Sequence, residues 1–86
     1  MFIKLSRQVR VFVPKKELEF LFQIAPQPYF FASKLAPEQM PMAKILADKS
    51  ILVRKKLDND VQYALNKEVV RINRELKEAS RTRKTD

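Results

Sequence analysis

The sequence predicts a small, mainly α-helical chain, and three observations carry that prediction. Apolar residues recur three and four apart over 14–25 and 59–80, good helix formers cluster around 49–57, and none of the 86 residues is glycine. Two or three helices are expected, over about 14–25, 41–49 and 59–80, with a short strand at 9–13 and proline-broken extended segments. A chain of this length makes one small domain at most, here 1–86 with a basic arm over 1–13 and a basic tail over 81–86. It has no cysteine or metal staple and buries a modest core, so it is not expected to be an independent large-core domain.

Residues 1–16 hold Lys4, Arg7, Arg10, Lys15 and Lys16 and no acid. Phe2, Leu5, Val9 and Phe12 have helical spacing, whereas Val9, Val11 and Val13 alternate as a strand does. The reading is a short helix or extended lead-in, then a strand around Val9–Val13. Basic residues, a serine and helically spaced apolar residues without acids are also the composition of a mitochondrial targeting segment.

Pro14 suits the first position of a helix, where its missing N–H costs nothing. Glu17 and Glu19 follow in the first turns, where the helix dipole favours anions. Leu18, Leu21, Phe22 and Ala25 then share a face that Phe20 and Ile24 widen, until Pro26 ends the helix. Pro28, Pro37 and Pro41 punctuate the next stretch. Within it Tyr29, Phe30 and Phe31 read as a core plug at a chain bend, with stacking on an RNA base as the alternative. Ser33–Ala36 suits one turn, and Pro41 opens a helix through Met42, Ile45 and Leu46 to about Lys49.

Two readings compete for 50–56: a strand in which Ile51 and Val53 pair with Val9–Val13, or a helical continuation. Lys49, Lys55, Lys56 and Leu57 favour the helix. Asp58 or Asn59 suits an N-cap, and Asn59 with Gln62 has capping-box spacing. Leu65, Val69, Ile72, Leu76 and Ala79 then recur four, three, four and three apart. Two to three heptads are too few for a dimeric coiled coil, so the seam is expected to pack on the chain's own helices or on another protein.

The missing residue types exclude whole chemistries. Without Cys or His there is no thiolate nucleophile, imidazole base or ordinary zinc, haem or iron–sulfur site. Without Gly there is no phosphate-cradling loop or dinucleotide turn. Asp58 and Asp60 are explained by a helix N-cap rather than by a metal pair. The remaining acids, lysines and two tyrosines lack the chain volume to form a catalytic pocket. The run Phe20–Ala25 falls well short of the ~20 residues of a spanning helix, and the mean hydropathy is -0.37. No enzyme, cofactor, metal or small-molecule substrate is therefore expected.

Net charge is +8 and the isoelectric point near 10.1, with the excess at the two ends and a triplet at Arg54, Lys55 and Lys56. Such a pattern suits release of counterions from a polyanion. Candidate phosphate contacts are Lys4, Arg7, Arg10, Lys15, Lys16, Arg54, Lys55, Lys56, Arg81, Arg83 and Lys84. Candidate protein-docking residues are Phe22, Tyr29, Phe30, Phe31, Leu65, Val69, Ile72 and Leu76. The expected function is a structural subunit of a large ribonucleoprotein, most specifically a small mitochondrial ribosomal protein of the matrix. Its partners would be rRNA and neighbouring proteins. One alternative is an accessory subunit of a respiratory or ATP synthase complex whose basic ends meet anionic headgroups. Another is a helical adaptor that dimerises through Leu65–Ala79.

Overall fold

The computed structural model describes residues 1–81 and reveals an α+β fold rather than the mainly helical one expected. In chain order the elements are β1 (Phe2–Lys4), β2 (Arg10–Phe12), α1 (Lys15–Ile24), β3 (Phe30–Phe31), a 3-10 turn (Ala32–Lys34), α2 (Met40–Asp48), β4 (Leu52–Lys56), β5 (Val61–Leu65), α3 (Lys67–Ile72) and α4 (Arg74–Arg81). The strands form a two-stranded antiparallel sheet, β1–β2, and a three-stranded antiparallel sheet in the order β3–β5–β4.

The first hairpin shows why alternation overrides helical spacing at the N-terminus. Phe2 faces Phe12, Ile3 faces Val11 and Lys4 faces Arg10. Side chains alternate across a strand, so Ile3 points into the core while Phe2, Lys4, Arg10 and Phe12 remain exposed. The Ser6 hydroxyl closes the turn by accepting from the backbone N–H groups of Val9 (3.2 Å) and Gln8 (3.4 Å). The strand expected at 9–13 therefore exists as β2, and its partner is residues 2–4.

Helix α1 starts directly after Pro14, and Leu18 N–H donates to the Pro14 carbonyl. Helix α2 carries Pro41 in its first turn, where no backbone donor is lost. Its C-terminus is a Schellman motif: Ser50 N–H donates to Ala47 O and Ile51 N–H to Leu46 O, with Ser50 at φ 67°. Glycine usually occupies that left-handed position. Lys49 Nζ, at the end of α2, donates to Glu17 Oε1 (3.1 Å) and to Phe12 O (2.9 Å), joining α2 to α1 and to the first hairpin.

Residues 50–80 depart furthest from expectation. The stretch over 50–56 is not helical but the edge strand β4, and it pairs with Val61–Leu65 rather than with Val9–Val13. The helix expected over 59–80 begins only at Lys67. Val61, Tyr63 and Leu65 alternate with Gln62 and Ala64, a half-buried strand pattern rich in β-formers. Asp58 and Asn59 form the β4–β5 turn instead of an N-cap. The working N-cap is Asn66, whose Oδ1 accepts from Glu68 N–H (3.0 Å) and whose Nδ2 donates to Ser50 O (3.0 Å). A break at Asn73 then divides α3 from α4. The proposed heptad seam is thus shared by a strand and two short helices, and is not a continuous coiled-coil face.

One hydrophobic cluster draws on nearly every element. Ile3, Val13, Leu21, Leu46, Ile51, Val69 and Leu76 are its most deeply buried large residues. Phe30 stacks on Tyr63 across β3 and β5 (centroids 5.6 Å apart) and meets Phe20 of α1 edge-on (6.1 Å). Among the described residues Asn73 is the buried polar one, and all of its amide is used. Its Oδ1 accepts from Lys4 N–H (3.0 Å), and its Nδ2 donates to Lys4 O and Val69 O (2.7 Å each).

Candidate nucleic-acid interface

The amide of Asn73 brings the first hairpin against the break between α3 and α4, and this juncture gathers positive charge. A shallow crevice of about 240 Å³ is lined by Lys4, Ser6, Arg7, Gln8, Val9 and Arg10. A second of about 240 Å³ is lined by Lys4, Ser6, Arg7 and Ile72. A third of about 420 Å³ is lined by Arg71, Ile72, Arg74, Lys77 and Glu78. The first two share Lys4, Ser6 and Arg7, and the third adjoins the second at Ile72, so neighbouring crevices carry Lys4, Arg7, Arg10, Arg71, Arg74 and Lys77.

Only part of that charge is neutralised within the chain. Arg71 Nη2 lies 2.8 Å from Glu68 Oε2, and Arg74 Nε lies 3.6 Å from Glu78 Oε2. The hydrogen bond and charge of Arg71 hold the Glu68 carboxyl below its ordinary range, and Glu68 in turn raises Arg71. Both pairs are exposed and add little to stability. Lys4, Arg7, Arg10 and Lys77 form no ion pair among the described residues.

The hairpin adds aromatic surface to this charge. Phe2 and Phe12 are more than half exposed (55% and 54%) and meet edge-to-face with centroids 5.5 Å apart. The Arg10 guanidinium lies 5.0 Å from the Phe2 ring centroid, within cation–π range. Sequence reading picked the hairpin's cations but missed both rings, together with Arg71, Arg74 and Lys77. A signal was present: Phe-Ile-Lys over 2–4 is mirrored by Arg-Val-Phe over 10–12, which places like residues opposite one another once the chain turns back.

The other expected contacts lie apart from this surface. Lys15 and Lys16 line a crevice with Glu17 and Glu38, where the charge is mixed. Arg54, Lys55 and Lys56 lie along β4, the edge of the second sheet, where cations also discourage strand-to-strand association. Arg81 ends α4, and Arg83 and Lys84 lie outside the described residues.

Of the expected docking residues, Phe30, Val69 and Leu76 are buried inside this chain and offer no surface to a partner. Phe22, Phe31, Leu65 and Ile72 are half-buried. Tyr29 is half exposed and packs edge-on against Phe31 (5.5 Å). The aromatic cluster therefore divides, with Phe30 serving as the core plug and Tyr29 and Phe31 lying at the surface. Asp60 does not act as a helix cap. Its carboxylate accepts from the Ser33 hydroxyl, Val61 N–H (2.8 Å) and Ser33 N–H (3.1 Å), and these bonds, led by the hydroxyl, lower its pKa.

Among the described residues no group of three or more acids could hold a metal ion, and no helix is long and apolar enough to cross a membrane. No family model, curated protein or solved structure matches the chain.

Proposed function

We propose that the chain is a structural subunit of a large ribonucleoprotein, of the kind small ribosomal proteins represent, and that it acts by neutralising RNA phosphates. The observation that carries this reading is the set of adjoining crevices lined by Lys4, Arg7 and Arg10 of the hairpin and by Arg71, Arg74 and Lys77 of α3 and α4. Unpaired cations on adjoining crevices release counterions when they meet a polyanion, and that contribution does not depend on sequence. Half-exposed Tyr29 and exposed Met40, Ile45 and Val53 supply apolar surface for neighbouring proteins.

A second reading is favoured by exposed aromatic rings beside cations, an arrangement that also suits anionic lipid headgroups around a respiratory or ATP synthase complex. Sedimentation of a native lysate separates the two. Under the ribonucleoprotein reading the chain co-migrates with a particle that RNase destroys, and a Lys4→Gln/Arg7→Gln/Arg10→Gln variant leaves that particle at lower salt. Migration with an RNase-resistant, detergent-sensitive complex would favour the lipid-facing reading instead.

A further inference from the structure

The outer face of the first hairpin joins two matched cross-strand pairs, Phe2 with Phe12 and Lys4 with Arg10. The flanking residues exchange the ladder hydrogen bonds: Met1 with Val13, and Leu5 N–H with Val9 O. Phe2–Phe12 and Lys4–Arg10 are therefore non-hydrogen-bonded pairs, whose side chains approach most closely. Like charges directly opposite one another destabilise a hairpin, and no acid among residues 1–16 relieves Lys4 and Arg10. Such a pair gains most when an anion sits between its members.

We infer that this face seats an unpaired nucleotide of single-stranded RNA, its base stacked on the Phe2–Phe12 pair in place of the Arg10 guanidinium that lies over the Phe2 ring, and an adjacent phosphate held between Lys4 and the displaced Arg10. The inference rests on the RNA-binding reading above and deepens it by naming the strandedness of the ligand. Aromatic side chains beside a cationic track are the working parts of single-strand recognition, and they tolerate any base because each has a π-face. A duplex keeps its bases paired and stacked and offers no such face to a flat sheet surface. Two residues of strand, about 7 Å, separate the aromatic pair from the cationic pair, so neighbouring parts of one nucleotide address both. The crevice at the turn continues the track through Arg7 towards Ile72 and Arg71.

The test uses the full chain, a labelled uridine 12-mer and an RNA duplex of equal length, followed by fluorescence anisotropy over a salt series. The single strand should bind more tightly than the duplex. A Phe2→Leu/Phe12→Leu variant should lose roughly tenfold or more of its single-strand affinity, with the salt slope and duplex binding unchanged. Phe12→Tyr should retain affinity. Lys4→Gln/Arg10→Gln should instead flatten the log–log salt slope by about 0.7, the value for loss of one phosphate contact on a single strand. Crosslinking of bromouridine RNA to the unaltered chain should map to residues 2–12, a readout that does not depend on any variant folding. Unchanged single-strand affinity in a folded Leu variant, or crosslinks only elsewhere, would overturn the nucleotide seat while leaving RNA binding intact. Absence of RNA binding at low salt, with binding to cardiolipin-containing vesicles, would overturn both.

Discussion

The carboxamide of Asn73 and the backbone of Lys4, 69 positions apart, exchange two hydrogen bonds, 3.0 Å in one direction and 2.7 Å in the other. Lys4 turns its N–H and C=O away from β2, so the side chain of Asn73 pairs with them as a neighbouring strand would. Asn73 is also where α3 stops and α4 starts: its N–H donates to Val69 O, and its carbonyl accepts from Lys77 N–H. One residue thus ties the basic hairpin, through its carboxamide, to the junction of the last two helices, which its backbone joins.

Asn73→Ala should destabilise the chain by about 2–3 kcal/mol, because it leaves the Lys4 backbone groups without their partners. Asn73→Asp should cost at least as much at neutral pH, since a carboxylate cannot donate to Lys4 O or Val69 O. Acidification should recover part of that loss in the Asp variant alone. Urea unfolding at pH 7 and pH 4 checks both.

Ser50 occupies a left-handed conformation that a Cβ disfavours by about 1 kcal/mol. Ser50→Gly should therefore stabilise the fold by up to about 1 kcal/mol, while Ser50→Val should destabilise it by a comparable or larger amount. Asn66 bonds to the Ser50 carbonyl rather than to its side chain, so the substitution leaves that contact in place. Thermal melts of the two variants should shift in opposite directions.

Lys49 links three elements through Glu17 and Phe12 O, and the Glu17 side chain is only 14% exposed. Lys49→Met should cost about 1–2 kcal/mol, because it strands a charged acceptor in a partly desolvated site. Lys44→Met, on an exposed position of the same helix, should change stability by no more than about 0.5 kcal/mol. Equal effects from the two substitutions would show that the Lys49 contacts contribute nothing specific.

Asp60 binds fewer protons in the folded chain than in the unfolded one, since its hydrogen bonds to Ser33 and Val61 lower its pKa. Its contribution to stability is present above the ordinary aspartate pKa and disappears as pH falls through the depressed folded value. Denaturation midpoints should therefore decline below about pH 4, and Asp60→Asn should make that decline shallower. Ser33→Ala should do the same, because it removes the largest cause of the shift.

How far the sequence could be read depended on which signals glycine would have carried. Helices α1 and α2 were legible because Pro14, Pro26 and Pro41 mark their ends. The second sheet was hidden because its turns use other residues. Ser50 takes the left-handed position after α2, and Asp58 and Asn59 make the β4–β5 turn, so no glycine announced a break in 41–80. Val61, Tyr63 and Leu65 alternate, but Leu65 also falls in step with Val69, Ile72 and Leu76, and the longer period concealed the shorter one. The hairpin's cations were legible from composition, whereas Phe2 and Phe12 were absorbed into a helical stripe that the strands do not form. Arg71, Arg74 and Lys77 join the site only through the Asn73–Lys4 contact, which no local pattern reveals.

That contact also sets a schedule for biosynthesis. At the usual 5–20 residues per second, between about 3 and 14 s separate the synthesis of Lys4 from that of Asn73. Throughout that interval the basic hairpin exists without its latch, and α3 and α4 are not yet there to extend its surface. A product released early would carry the cations of the hairpin but not the amide that positions them. Only a chain translated through residue 73 therefore holds its basic hairpin in the folded position.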